Sequence, residues 1–191
     1  MLTHNDLFSL EQYARTRTEF RAKVMAHKAN RRVALGDNAN LYFEDALTMQ
    51  YQVQEMLRLE RIFEPEKIQE ELDAYNPLIP DGSNWKATFM LEYPDEAERR
   101  KALAKLIGID KAVWMQVGEF PKIRPIANED LDRDTAEKTA AVHFMRFELS
   151  PDMVAAVKAG APIRAGIDHA NYQVTVQVPD AARASLAADL A

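Results

Sequence analysis

The chain has four histidines and no cysteine, so a metal ion would have to be held by imidazole and carboxylate, and thiolate nucleophiles, disulfides and iron–sulfur ligation are excluded. Two of the histidines lie in alternating apolar and polar runs. His143 shares its face of a predicted strand, 141–149, with Met145, Phe147 and Leu149, while Arg146 and Glu148 point the other way. His169 shares its face of a second strand with Ile163, Ala165 and Ile167. If the two strands are neighbours, the imidazoles approach each other, and a carboxylate would complete a two-histidine, one-carboxylate site for a divalent metal with open positions. Glu55, on an apolar-rich helix, is the natural third ligand, and Glu92, at the end of a strand, is the second choice. The bland reading is a core histidine bonded to a backbone carbonyl, and the sequence alone leaves both open. Asp168, His169 and Tyr172 form a smaller cluster with acid–base potential, for which turn chemistry at Asp168 and Asn171 of a hairpin is the preferred reading.

A second kind of chemistry is electrostatic. With 24 Lys and Arg against 30 Asp and Glu the net charge is −6, but residues 15–32 hold seven cations against Glu19 alone. That segment carries +6 and the remainder −12. Arg21, Lys28, Arg31 and Arg32 are the candidates for binding an anion or a partner. The acidic total and the scarcity of interleaved aromatics argue against nucleic acid. Pairing with the protein's own acidic surface, or with a second copy, fits better, and a homo-oligomer is expected.

The elements that must position these residues follow from periodicity and caps. Ser9-Leu10-Glu11-Gln12 is a capping box, and a helix is expected from there to about Arg32, with Arg17, Arg21, Lys28 and Arg32 on one face. A second helix is expected at about 43–63, carrying Gln50, Gln54, Glu55 and Arg58, with Glu55 and Arg58 spaced to pair. A third, 66–75, follows Pro65 and ends at Asn76-Pro77. From Pro80 onward the period becomes twofold. Strands are expected at 87–93, 113–117, 122–126 (weak and at an edge, between Pro121 and Pro125), 141–149, 163–168 and 172–178. Helices intervene between Pro94 and Gly108, after Ser150-Pro151, and after Pro179. The run 128–138 reads as a solvated loop.

This pattern is α+β: N-terminal helices, then a mainly antiparallel sheet of about five strands with helices packed on one face. A single domain is expected over 1–191, with a helical portion 1–78 and a sheet portion 79–191. No run of about 18 apolar residues and no leader-like start is present, so a soluble cytoplasmic protein is expected.

Several blocks carry a resemblance. Ser9-Leu10-Glu11-Gln12-Tyr13, Arg31-Arg32-Val33-Ala34-Leu35-Gly36, Gln54-Glu55-Met56-Leu57-Arg58, Tyr75-Asn76-Pro77-Leu78-Ile79-Pro80, Ala141-Val142-His143-Phe144 and Gly166-Ile167-Asp168-His169 resemble those of a bacterial family known as a domain of unknown function. The resemblance covers nearly the whole chain and assigns no catalytic residue. It implies a genomic setting beside rubrerythrin and an iron–sulfur oxidoreductase similar to heterodisulfide reductase, and hence an accessory or partner role in a redox or oxidative-stress system, without thiol chemistry. A non-haem metal enzyme and an oligomeric binding module are the alternatives.

Overall fold

The structure, a computed structural model, describes all 191 residues. In chain order its elements are α1 (Leu10–Ala29), β1 (Arg32–Ala34), β2 (Ala39–Phe43), α2 (Ala46–Glu60), α3 (Pro65–Tyr75), β3 (Asn84–Leu91), α4 (Glu96–Lys105), α5 (Ile109–Ala112), β4 (Val113–Val117), β5 (Ile126–Ala127), β6 (Val142–Glu148), α6 (Pro151–Lys158), β7 (Ile163–His169), β8 (Tyr172–Gln177) and α7 (Asp180–Ala188). They form two compact units: Met1–Asn30 with Glu44–Pro80, and Arg31–Phe43 with Asp81–Ala191. The fold is α+β, as the change of period indicates, and no helix is long and apolar enough to cross a membrane.

The first unit is helical. The Ser9 hydroxyl accepts from the Gln12 amide at 3.1 Å and the Gln12 side chain accepts from the Ser9 amide at 3.0 Å, so the capping box starts α1 where expected. Asp45 caps α2 by accepting from the Thr48 amide at 3.0 Å, and Pro65 opens α3. Tyr13, Phe20 and Val24 of α1 bury a narrow stripe, with Phe8 edge-on to Phe20 at a centroid distance of 5.4 Å. Val53, Leu57, Ile62 and Leu72 make the other apolar cluster. The buried Gln54 amide grips the backbone of Phe8, accepting from its N–H at 2.6 Å and donating to its carbonyl at 3.3 Å, which fixes the segment leading into α1.

The second unit holds two antiparallel sheets, ordered β1-β2-β3-β6-β5 and β4-β7-β8. Register aligns Leu41, Phe89 and His143 in one row and Phe43, Ala87 and Met145 in another, so one face of the larger sheet is apolar. The opposite face carries Tyr42, Thr88 and Phe144, then Lys86 and Arg146. Both sheets contribute to one core, which also takes Leu103 and Leu106 of the α4 region, Val157 of α6, and Ala182 and Leu186 of α7. Trp85 donates from Nε1 to the Leu186 carbonyl at 2.9 Å, seating α7. In the smaller sheet Trp114 faces Gly166 across the ladder, and a Cβ at 166 would come within 2.3 Å of the indole, so only glycine fits there.

The main departure from expectation lies at 30–43. Helix α1 stops at Ala29, and Arg31–Phe43 leave the helical portion to form the β1–β2 hairpin of the second unit. Gly36 turns it with φ of +79°, and the Tyr172 hydroxyl occupies the space a side chain there would need. Arg31 therefore does not continue a basic helix face. It is 2% exposed and donates from Nε to the Phe43 carbonyl at 2.9 Å, from Nη1 to the Ser185 hydroxyl at 2.9 Å and from Nη2 to Asp189 at 2.6 Å.

A buried pair of this kind is costly to break from one side. Asp189→Ala is expected to lower the unfolding free energy by about 3–5 kcal/mol, whereas the double change Arg31→Met with Asp189→Leu recovers most of the loss. Urea unfolding measures both; a single-mutant loss under about 1 kcal/mol would give the pair the weight of a surface ion pair.

Candidate functional site

The four residues singled out for metal binding have four separate environments. Glu55 projects from α2 toward α1, where it accepts from the Tyr13 hydroxyl at 2.5 Å and from two of the three Arg17 guanidinium nitrogens, Nε at 2.7 Å and Nη2 at 3.0 Å. It pairs with Arg17 across the helices, not with Arg58 along its own. The Arg17 hydrogen bonds hold the Glu55 carboxyl below its ordinary value against the opposing effect of burial. Burial, reinforced by the adjacent carboxylate, raises Tyr13, so its proton stays on. The charge and the phenol thus tie α1 to α2.

His143 is completely buried in β6, on the apolar face expected for it. Its Nε2 donates to the Ala140 carbonyl at 2.9 Å and lies 3.0 Å from the Thr139 hydroxyl, whose own proton goes to Asp134. Nδ1 accepts from the Asn128 side chain at 2.9 Å. Asn128 also bonds Asp110 at 3.3 Å and, through its oxygen, accepts from the Phe144 amide and from Arg133, each at 3.2 Å. This residue has φ of +53°, a conformation Asn tolerates better than most side chains. The charged run 128–138, read from sequence as a solvated loop, supplies one partner of the core histidine, Asn128, and the residues directly after it, Thr139 and Ala140, supply the others. The sequence reading missed Asn128; its one signal was an asparagine at the start of a run too polar for a strand and lacking helical spacing.

His169 ends β7 in the other sheet. Its Nε2 donates to the Ile107 carbonyl at 2.8 Å and its Nδ1 accepts from the Asn171 amide at 3.1 Å, while Asn171 donates to the Lys105 carbonyl at 2.9 Å. Together these fasten the β7–β8 turn to the end of α4. Glu92 follows β3 and accepts from Asn40 and, at 2.9 Å, from the Tyr42 hydroxyl. His143, His169, Glu55 and Glu92 are therefore not brought together, because β6 and β7 lie in different sheets and Glu55 belongs to the other unit. No three His, Asp or Glu side chains stand as a metal-holding group. Asp168, on the opposite face of β7 from His169, receives Arg124 at 2.8 Å and Lys122 at 3.2 Å.

The basic candidates also separate. Arg21 is exposed on α1, Lys28 is half-buried there, Arg32 donates to Asn40 at 2.9 Å in the hairpin, and Arg31 is internal. The early end of α1 is the cause.

What the second unit does present is a groove along α4. An open cleft of about 440 Å³ over Leu91, Tyr93 and Ala141 is bordered by Arg99, and an adjoining cleft of about 270 Å³ shares Tyr93 and is bordered by Lys101 and Lys105. These three cations form no ion pair, while Glu92 and Glu98 are the acids at the rim. Burial raises the Tyr93 hydroxyl, which keeps it a neutral donor.

Burial lowers the pKa of His143 below its ordinary value of 6.5, outweighing the Ala140 carbonyl bond that opposes the shift. The unfolded chain takes up a proton as pH drops through about 6.5, while the folded protein resists until lower pH, so stability falls across that interval by at most about 1.4 kcal/mol per pH unit. Above it His143 adds no pH dependence. His143→Gln is expected to flatten this part of the profile of unfolding free energy against pH; an unchanged slope would mean that another group titrates there.

A family model described as a protein of unknown function, DUF3501, matches residues 1–190. A crystal structure of a protein of unknown function from Burkholderia pseudomallei is similar over all of this chain and 99% of its own, with 50% sequence identity and a TM-score of 0.94. No curated protein matches the chain. The family membership read from the sequence blocks is thereby shown: the chain belongs to the DUF3501 family of proteins of unknown function.

Proposed function

We propose that this protein is an accessory binding component of a redox or oxidative-stress system, which docks an acidic segment of its partner in the groove along α4. One observation carries this reading: Arg99, Lys101 and Lys105 line an open groove floored by Leu91, Tyr93 and Leu106, and none of the three is neutralised by an ion pair. An apolar, aromatic floor with cations at its border suits a short acidic and aromatic stretch, since the floor supplies affinity and the charges supply steering. The side chains able to do chemistry are engaged otherwise. Glu55, His143, His169 and Arg31 each hold two or more elements together. With no cysteine, the chain has no thiol to relay electrons. The partners that the sequence resemblance implies, rubrerythrin and an iron–sulfur oxidoreductase similar to heterodisulfide reductase, fit the same reading.

The test is direct binding by calorimetry, using the full chain with purified rubrerythrin and with the oxidoreductase from the same genome. One of them is expected to bind, with affinity that falls as salt rises, and Lys101→Glu with Lys105→Glu is expected to weaken it at least about tenfold, or 1.4 kcal/mol. Failure of both partners to bind at millimolar concentration, or binding indifferent to the double substitution, would overturn the proposal.

A further inference from the structure

Each sheet of the second unit ends in strands whose outer backbone groups need an occupant, and three of the four ends are managed. The larger sheet stops at β1, three residues long, and at β5, two residues long and preceded by Pro125. On the smaller sheet β4 is covered by the passing segment at Ile123, which exchanges backbone hydrogen bonds with Met115 at 2.6 and 3.0 Å. Short length, proline and covering segments are the usual ways in which edges are kept from pairing. The fourth edge, β8, has none of them. It is six residues long, Tyr172-Gln173-Val174-Thr175-Val176-Gln177, without charge, proline or glycine.

The hydrogen-bond phase of β8 is defined. Val178 donates its N–H to the Ile163 carbonyl at 2.8 Å, and the register places Arg164 opposite Gln177 and Ile167 opposite Val174. Alternation then turns the backbone groups of Tyr172, Val174 and Val176 toward β7, and those of Gln173, Thr175 and Gln177 away from it. These outward groups bond to nothing within the chain.

The segment Gln173-Val174-Thr175-Val176-Gln177 reads the same in both directions. We infer that β8 pairs antiparallel with β8 of a second copy of this chain, about a twofold axis at Thr175, joining the two three-stranded sheets into one of six strands. In that register Thr175 faces Thr175 of the partner, Gln173 faces Gln177 and Val174 faces Val176. The three outward residues of each copy fall opposite the outward residues of the other, so every free N–H finds a carbonyl. A twofold contact requires a self-complementary patch, and a palindromic strand in this phase is one. Side-chain pairing agrees: Thr–Thr is a favourable cross-strand pair, and no like charges meet.

Sedimentation equilibrium of the full chain tests this with two substitutions that leave the β7 side untouched. Thr175→Pro removes one outward N–H at an edge position where proline is tolerated, and Thr175→Lys sets two ammonium groups opposite each other on the axis. Wild type is expected to show a monomer–dimer equilibrium. Both variants are expected to keep the wild-type circular dichroism and to raise the dimer dissociation constant at least about 100-fold, or 2.7 kcal/mol. In the otherwise cysteine-free chain, Thr175→Cys is expected to cross-link to a dimer with a short bismaleimide. A wild-type protein that stays monomeric at millimolar concentration, or a dimer that persists in either folded variant, would overturn the inference.

Discussion

A guanidinium cannot be taken out of water alone, and the interior position of Arg31 therefore dictates what surrounds it. At 2% exposure it requires a carbonyl, a hydroxyl and a carboxylate, and these come from Phe43 at the end of β2 and from Ser185 and Asp189 at the end of α7. The two ends of the second unit, 158 residues apart in sequence, are joined through one side chain. The hairpin between them is consequently part of the sheet unit and not of the helices that flank it in sequence. Once β2 is placed, β3 pairs along its full length and β6 along β3, which carries His143 into the core.

The same requirement accounts for the other conspicuous polar residues. A buried imidazole kept neutral needs one acceptor and one donor, and His143 has the Ala140 carbonyl and the Asn128 amide. A carboxylate at a helix–helix contact needs a cation, and Glu55 has Nε and Nη2 of Arg17 and the hydroxyl of Tyr13. Groups satisfied in this way are poor candidates for catalysis, because a substrate would have to displace partners that the fold needs. They are good candidates for specifying one arrangement of the chain, since any other arrangement would strand a charge or a donor.

Local rules reached as far as local causes did. The capping box at Ser9, the proline at the start of α3, the apolar run of β4, the alternation of β6 and the β7–β8 hairpin all rest on residues within about one turn or one strand of each other, and all are where the sequence places them. The apolar face of His143 was legible for the same reason. What was not legible depends on distant partners. Strand β1 has three residues, too few for a period, and its stability comes from β2 and from Arg31. Basic residues at helical spacing after Ala29 mimic a continuing helix, and only Asp189, near the far end of the chain, shows that Arg31 turns inward. The supposed meeting of His143 with His169 needed their strands to be neighbours. Periodicity says which face a residue takes but not which strand lies beside it.

Rigidity connects the anchored hairpin to the exposed edge. The Tyr172 hydroxyl donates to the Leu35 carbonyl at 2.6 Å and accepts from the Asn38 amide at 3.2 Å, so the first residue of β8 is bonded on both sides of the β1–β2 turn. The absence of a side chain at Gly36 is what lets the phenol reach that turn. Arg31 and Phe43 hold the base of the hairpin, the hairpin holds Tyr172, and β7 holds the inner side of β8 along its length. An edge strand restrained at one end and along one side loses little further freedom when its other side is occupied, and the free energy of each new backbone hydrogen bond is then less diminished by ordering. The buried arginine thus acts, through the β1–β2 turn, on the readiness of a surface strand to pair.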